Sequence, residues 1–255
     1  MFLAAKIGKG KTHWKRCAIK PWLSIIVPTL NEEKRIEYTL RELRKLAPDA
    51  ELIIADGGSN DHTREIARRV ADKVVLSTKE GEHKSIGAGR NAGARSASAP
   101  LFLFNDADTL PQKAFIDALR SAFDDERVLG AGCRVMPDEK NFLVRLVFRF
   151  FNFIIRVSSW IGSPAISGNC VAYRANAFWK IKGFDEEMEA SEDQDLSVRM
   201  SRVGRVLFFN EYTAFTSSRR LKKFGWFGLF FDWGKTTLNF VLGRKNRRYA
   251  IVREI

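Results

Sequence analysis

Residues 23–33 read LSIIVPTLNEE, an aliphatic run that breaks into a proline, an asparagine and two glutamates. A short, continuous apolar segment ended by such residues is the pattern of a strand buried on both faces, and Pro28 predicts its stop. Outward from it, residues 32–46 carry Ile36, Leu40 and Leu43 at helical spacing. ELIIA (51–55) predicts a second strand, residues 61–70 a second helix, and VVL (74–76) a third strand. Residues 85–97 then predict a helix and LFLF (101–104) a strand. This alternation predicts βαβ units around a parallel sheet, an α/β fold. Beyond Asp108 the regularity fades into a helix near 111–123, a strand near 128–135, an aromatic segment at 142–161 and a last strand-like run, VLFF (206–209).

Composition narrows the setting. With 45% hydrophobic and 29% charged residues the chain has a globular balance rather than that of a disordered one. Its formal net charge of +13 predicts attraction to polyanions: nucleic acid, anionic lipid or phosphorylated small molecules. Cys17, Cys133 and Cys170 are too scattered for a disulfide framework or zinc-ligand spacing, which fits a reduced, intracellular setting. The first residues are basic and lack the apolar core of a secretory signal, so they read as a surface tail. No apolar run reaches the ~18 residues of a membrane span.

In parallel α/β sheets ligands sit beyond the carboxyl ends of strands, which singles out three loops. They contain Pro28-Thr29-Leu30-Asn31-Glu32, Asp56-Gly57-Gly58-Ser59 and Asn105-Asp106-Ala107-Asp108. Asp106 and Asp108 can offer hard oxygen ligands to Mg²⁺ or Mn²⁺, and such a metal can bridge a diphosphate and neutralise a leaving group. An isolated D-x-D is usually a solvated turn; its position after an apolar strand favours the metal. Asp56 suits a hydrogen bond from a base N–H, although the same residues also make an ordinary tight turn. The glycine-rich run 87–93 does not follow its strand directly, which excludes a dinucleotide fingerprint. It predicts instead a close-packed helix from which Lys84 and Arg90 reach toward phosphates or the base. Glu192 and Asp193 open a predicted helix, where acidic residues either cap the helix or supply a general base for an acceptor hydroxyl.

SIIVPTLNEE, IIADGGSNDHT, GAGRNAGA, FNDADT, SGNCVAYR and SEDQDLSVRM, in this order, resemble family 2 glycosyltransferases over roughly residues 23–220, which implies the GT-A fold, a Rossmann-like mixed, mainly parallel sheet flanked by helices. The resemblance implies that Pro28, Thr29, Glu32 and Asp56 line a nucleoside pocket and that Arg90 helps hold the donor. It also implies Asp106 and Asp108 as the metal and donor motif, Asp193 as catalytic base with Glu192 beside it, and Ser167, Gly168 and Asn169 on the acceptor side. Many members carry a histidine near the end of this region; here the residues are Phe215-Thr216-Ser217-Ser218-Arg219-Arg220. Arg219 and Arg220 are therefore candidate contacts to the leaving diphosphate. The implied organisation is a basic tail (1–21), a GT-A domain (22–220) and an aromatic, basic segment (221–255). Within the domain, 22–108 form the nucleotide half and 109–220 the acceptor half.

On a helical wheel Arg145, Arg149, Asn152, Arg156 and Ser159 form one polar stripe on an otherwise apolar helix, which predicts a membrane-interfacial helix with snorkelling arginines. Basic clusters flanking residues 224–231 suit anionic lipid headgroups, whereas no nucleic-acid-reading motif accompanies the charge. The function expected is inverting transfer from a UDP- or GDP-sugar to a hydroxyl of a lipid-linked or membrane-proximal acceptor, on the cytoplasmic face. Alternatives are a polyprenyl-phosphate acceptor, a sugar nucleotidyltransferase, whose glycine-rich loop after the first strand is missing, and a noncatalytic nucleotide-sugar-binding membrane module.

Overall fold

A computed structural model describes residues 20–77 and 85–219. Lys84, Arg220, Cys17, most of the basic tail and the whole of 221–255 lie outside the described residues.

The first half follows the predicted alternation. Strand β1 (Ser24–Thr29) leads to helix α1 (Ile36–Leu46), β2 (Glu51–Asp56), α2 (Thr63–Ala67), β3 (Lys73–Leu76), α3 (Ile86–Ser96) and β4 (Leu101–Asn105). Three of these elements differ from expectation. Pro28 does not end β1; it pairs in register with Ala55 of β2. Pairing of β1 with β4 stops at Ile26, so beyond it β1 has an open side on which a missing N–H breaks no ladder bond. Helix α1 starts four residues later than expected because Thr63 Oγ1 and Asp61 Oδ2 take the backbone N–H groups of Glu32 and Glu33. Helix α2 is also shorter than the expected 61–70, as the Asp61 side chain accepts from Thr63 N–H in a turn that precedes it.

The second half contains β5 (Thr109–Pro111), α4 (Lys113–Ala122), β6 (Val128–Pro137), α5 (Phe142–Trp160), β7 (Cys170–Arg174), α6 (Ala175–Lys180), α7 (Glu192–Ser201) and β8 (Arg205–Thr216). Strand β8 extends far beyond the expected VLFF because Ala214 to Thr216 add pairs to both β5 and β6. The eight strands among the described residues join one sheet in the order β3-β2-β1-β4-β7-β6-β8-β5. The β1, β2, β3 and β4 pairings are parallel, and antiparallel β7 joins them to the second half. The sheet therefore runs unbroken across both halves, with a core on each face. One centres on Ile25, Leu40, Leu103 and Phe115, the other on Phe102, Phe104, Tyr173 and Phe178.

In α5 one residue of the polar stripe turns inward while Arg149 and Arg156 stay exposed. Asn152 is buried, accepting from Val135 N–H and donating to Val135 C=O. Strand β6 needs those partners because β7 stops pairing with it at Gly132. The apolar side of α5 is turned outward, with Trp160 90% and Phe153 61% exposed.

Candidate functional site

Strand order reverses at β1, whose neighbours are β2 on one side and β4 on the other, and crevices in open α/β sheets form at such a switch point. The loops after β1, β2 and β4 meet there. Asp56, at the end of β2, is fully buried and accepts from Thr29 Oγ1 (3.1 Å), Gly58 N–H (3.1 Å), Ser59 N–H (2.8 Å) and Ser59 Oγ (2.6 Å). Gly58 turns the loop with φ +88°, a conformation that glycine adopts freely. Asn31, at φ +55°, ties the β1 loop to the β2 loop by accepting from Asn60 N–H, while its own N–H donates to Ser59 Oγ. The nucleoside-side residues expected from the sequence are thus brought together, in a framework held by short side-chain bonds.

A second cluster lies across the crevice. Arg90, on α3, is buried and donates to Glu192 Oε1 (2.7 Å), Asp106 Oδ1 (2.9 Å) and the Gly168 carbonyl (3.0 Å). The sequence expected this guanidinium to reach toward donor phosphates or the base; in the structure it clamps two carboxylates. The physical reason is burial, since a buried charge requires neighbouring countercharge. Desolvation opposes the Arg90 charge, but Asp106, Glu192 and Asp193 more than offset it and its pKa rises. Asp106 is further held by Asn169 Nδ2 at 3.0 Å.

Helix α7 begins without a side-chain cap from Ser191, whose φ of +63° is strained for a residue with a Cβ. That turn separates the roles of the two acids. Glu192 is buried against Arg90, and burial first, then the Asp193 charge, push its pKa up to about 7. Asp193 is partly exposed; Oδ2 accepts from Gly168 N–H at 2.5 Å and Oδ1 from Gln194 N–H at 2.8 Å. Ser167 Oγ donates to Asn169 Oδ1 at 2.5 Å, so the three residues 167–169 connect Asp193 to Asp106.

Asp108 is bound from the other side. Thr216 Oγ1 lies 3.3 Å from its Oδ1 and Arg219 Nε 3.2 Å from its Oδ2. Arg219 also grips Glu32 with both terminal nitrogens, at 2.7 and 2.5 Å. This bridge joins residues 187 positions apart, and pairwise spacing in the sequence offers no signal for it. Among the described residues no group of three His, Cys, Asp or Glu side chains is arranged to hold a metal. Two carboxylates two residues apart nevertheless fit Mg²⁺ or Mn²⁺ arriving with a diphosphate, because such ions take one or two protein carboxylates and complete their shell with phosphate and water.

Comparisons with known proteins identify the family and the fold. The family model described as "Glycosyl transferase family 2" matches residues 24–182. Succinoglycan biosynthesis protein ExoA of Rhizobium meliloti is 28% identical over 223 residues, covering 83% of this chain and 67% of that protein. The solved structure of the mannosyltransferase PcManGT from Pyrobaculum calidifontis with GDP-Man and Mn²⁺ superposes with a TM-score of 0.65 at 18% identity, covering 90% of this chain and 66% of that one. Glucosyl-3-phosphoglycerate synthase of Mycobacterium tuberculosis with Mn²⁺ and UDP gives 0.58 at 18% identity, covering 91% and 83%. The chain spans about a quarter of some other curated relatives. The fold is the GT-A fold.

Proposed function

The chain belongs to glycosyl transferase family 2, and from that premise we propose that it transfers a sugar, with inversion, from a nucleotide-diphosphate sugar to a hydroxyl of a lipid-linked or membrane-proximal acceptor. The observation that carries this reading is the convergence, at one crevice, of Asp106, Asp108, Glu192 and Asp193 with Arg90 and Arg219. In it Pro28, Thr29, Glu32 and Asp56 border the nucleoside. Asp56 acts chiefly through the turn it holds, as its oxygens already serve four donors there.

Asp193 is the base: it takes the proton from the acceptor hydroxyl as that oxygen attacks the anomeric carbon from the face opposite the departing diphosphate. Gly168 N–H orients the carboxylate, and Ser167 and Asn169 border the acceptor. Glu192 neutralises Arg90, which fixes Asp106 in place. When bound, Mg²⁺ or Mn²⁺ at Asp106 and Asp108 supplies Lewis-acid stabilisation of the diphosphate. Arg219 exchanges its contact with Asp108 for the phosphate oxygens and takes up leaving-group charge, where many relatives of this family use a histidine. Lys84 and Arg220 are further proposed cations at this crevice, outside the described residues.

The proposed domain layout keeps the boundaries above: a nucleotide half to residue 108, an acceptor half to 220 and a membrane-associating segment beyond it. No helix among the described residues is long and apolar enough to cross a membrane. The outward apolar side of α5 supports peripheral contact with a bilayer, on the cytoplasmic face where nucleotide sugars are available.

Nucleotide release from UDP- and GDP-sugars, measured with membrane-lipid extract and Mn²⁺ or chelator, tests the reading. Release confined to one donor and lost in Asp108→Asn is the expected result. No release by folded wild-type protein in the presence of lipid would support a noncatalytic binding module instead.

A further inference from the structure

Between α5 and the paired strands β6 and β8 lies a cavity of about 410 Å³, within the size range of small-molecule sites. Arg134, Arg145, Arg149 and Arg156 line it, and no carboxylate does. Among the described residues none of the four is paired with an acid. Arg134 donates from Nη2 to Thr213 Oγ1, yet its Nε is buried with no partner. The unpartnered Arg134 Nε and the three neighbouring guanidinium groups make the cavity attractive to an anion.

Two features of the fold create this space. Register between β6 and β8 jumps from Cys133↔Phe209 to Arg134↔Thr213, so three extra residues, 210–212, bulge from β8 beside the cavity. The Asn152 amide, bonded to β6, then fixes the rotation of α5, so that Arg145 and, four and eleven residues further on, the solvent-exposed Arg149 and Arg156 line the cavity. The same rotation exposes the apolar side. Phe153 belongs both to the cavity wall and to that outward face, so the cationic and apolar surfaces are continuous. Strand β8 borders both sites, for Phe215 lines the cavity while the next residue, Thr216, whose side chain points to the other face, bonds Asp108.

We propose that this cavity binds the phosphate or diphosphate group of a lipid-borne acceptor, whose hydrocarbon chain lies along the outer face of α5. The proposal rests on the lipid-linked acceptor reading and identifies its chemistry. Guanidinium forks match phosphate oxygens, and continuity with Phe153 favours a phosphate attached to an apolar chain over a free one. The lipid diphosphate is anchored here, leaving the acceptor hydroxyl to reach Asp193.

The test is equilibrium binding of farnesyl diphosphate, inorganic pyrophosphate and farnesol to the full chain, in chelator so that metal-dependent diphosphate binding at Asp108 does not contribute. Farnesyl diphosphate is expected to bind at least about tenfold tighter than either fragment, and Arg134→Gln/Arg149→Gln to lose about tenfold or more. The charge-matched Arg68→Gln/Arg69→Gln variant, changed at exposed sites, should bind as wild type. Should the double variant misfold, Arg149→Gln alone, at an exposed helix position, carries the same expectation in smaller degree. Equal binding of pyrophosphate would overturn the lipid source, and equal losses in the cavity and control variants would overturn the site. Asp108→Asn should keep farnesyl diphosphate binding; a protein that binds it as expected yet releases no nucleotide refutes the transfer reading without refuting this one.

Discussion

The two halves of the sheet build their polar sites differently. In the nucleotide half, bonds between neighbouring strand-end loops do the work: Asp56 holds its own turn, and Asn31 and Thr63 tie the β1 loop to the β2 loop. In the acceptor half the decisive contacts cross the molecule, Arg90 to Glu192 over 102 positions and Arg219 to Glu32 over 187. The donor side is thus a scaffold that parallel strands deliver almost by themselves, whereas the chemistry is assembled at the seam by long-range ion pairs. Mutations in the first half should therefore act mainly on stability, and those at the seam mainly on turnover.

The strongest way to break that distinction is Asp193→Asn. Loss of a general base predicts a kcat reduced by about 10²–10⁴-fold, with donor affinity and melting temperature little changed. Initial-rate kinetics beside nucleotide binding would measure it, and a loss below tenfold would remove Asp193 from the role of base.

A pair of glycines sharpens the comparison at intermediate size. A Cβ at Gly168 would meet Arg90 Nη1 at 2.7 Å and Asp193 Cβ at 2.9 Å, so Gly168→Ala should lower kcat by about tenfold or more through misplaced groups. At Gly93 it would meet Ile26 Cγ2 at 2.5 Å and Ala55 Cβ at 3.3 Å, in the packed nucleotide half. Gly93→Ala should cost about 1–3 kcal/mol of stability while the folded fraction keeps its specific activity. Melting curves and rates on both variants decide it; the opposite assignment of effects would dissolve the contrast.

The smallest effect expected is on pH dependence. Glu192 has a folded pKa of about 7 against an ordinary 4.5, so between these values the native state binds more protons than the unfolded one. Its contribution is fully present below 4.5 and is lost as pH rises toward and through 7. Glu192→Gln cannot ionise and should flatten this part of the metal-free stability curve by about 1–3 kcal/mol. The same change in unfolding free energy between pH 5 and 8 for wild type and Glu192→Gln, measured by chemical denaturation, would contradict the raised pKa.

Much of the first half was legible because strand and helix periods are local properties of the backbone. LSIIV, ELIIA and LFLF each became a strand, and each delivered the polar loop predicted from its carboxyl end. Pro28 misled because its cost depends on whether a neighbour needs its N–H, and β4 stops short of it. Asn152 misled for the same reason. On a wheel it is one more polar residue of an exposed stripe, but an unpaired stretch of β6 draws it inward.

By itself the residue order determined the alternating fold of the nucleotide half, the strand-end acids Asp56, Asp106 and Asp108, and the net positive charge. Only the tertiary structure decided that Arg90 is neutralised by Asp106 and Glu192, that Arg219 bridges Glu32 and Asp108, and that the arginines of α5 line a cavity. Backbone preferences act over a few residues and can be read along the chain, but a charge is stabilised by whatever packing brings within a few ångströms of it, however distant in sequence.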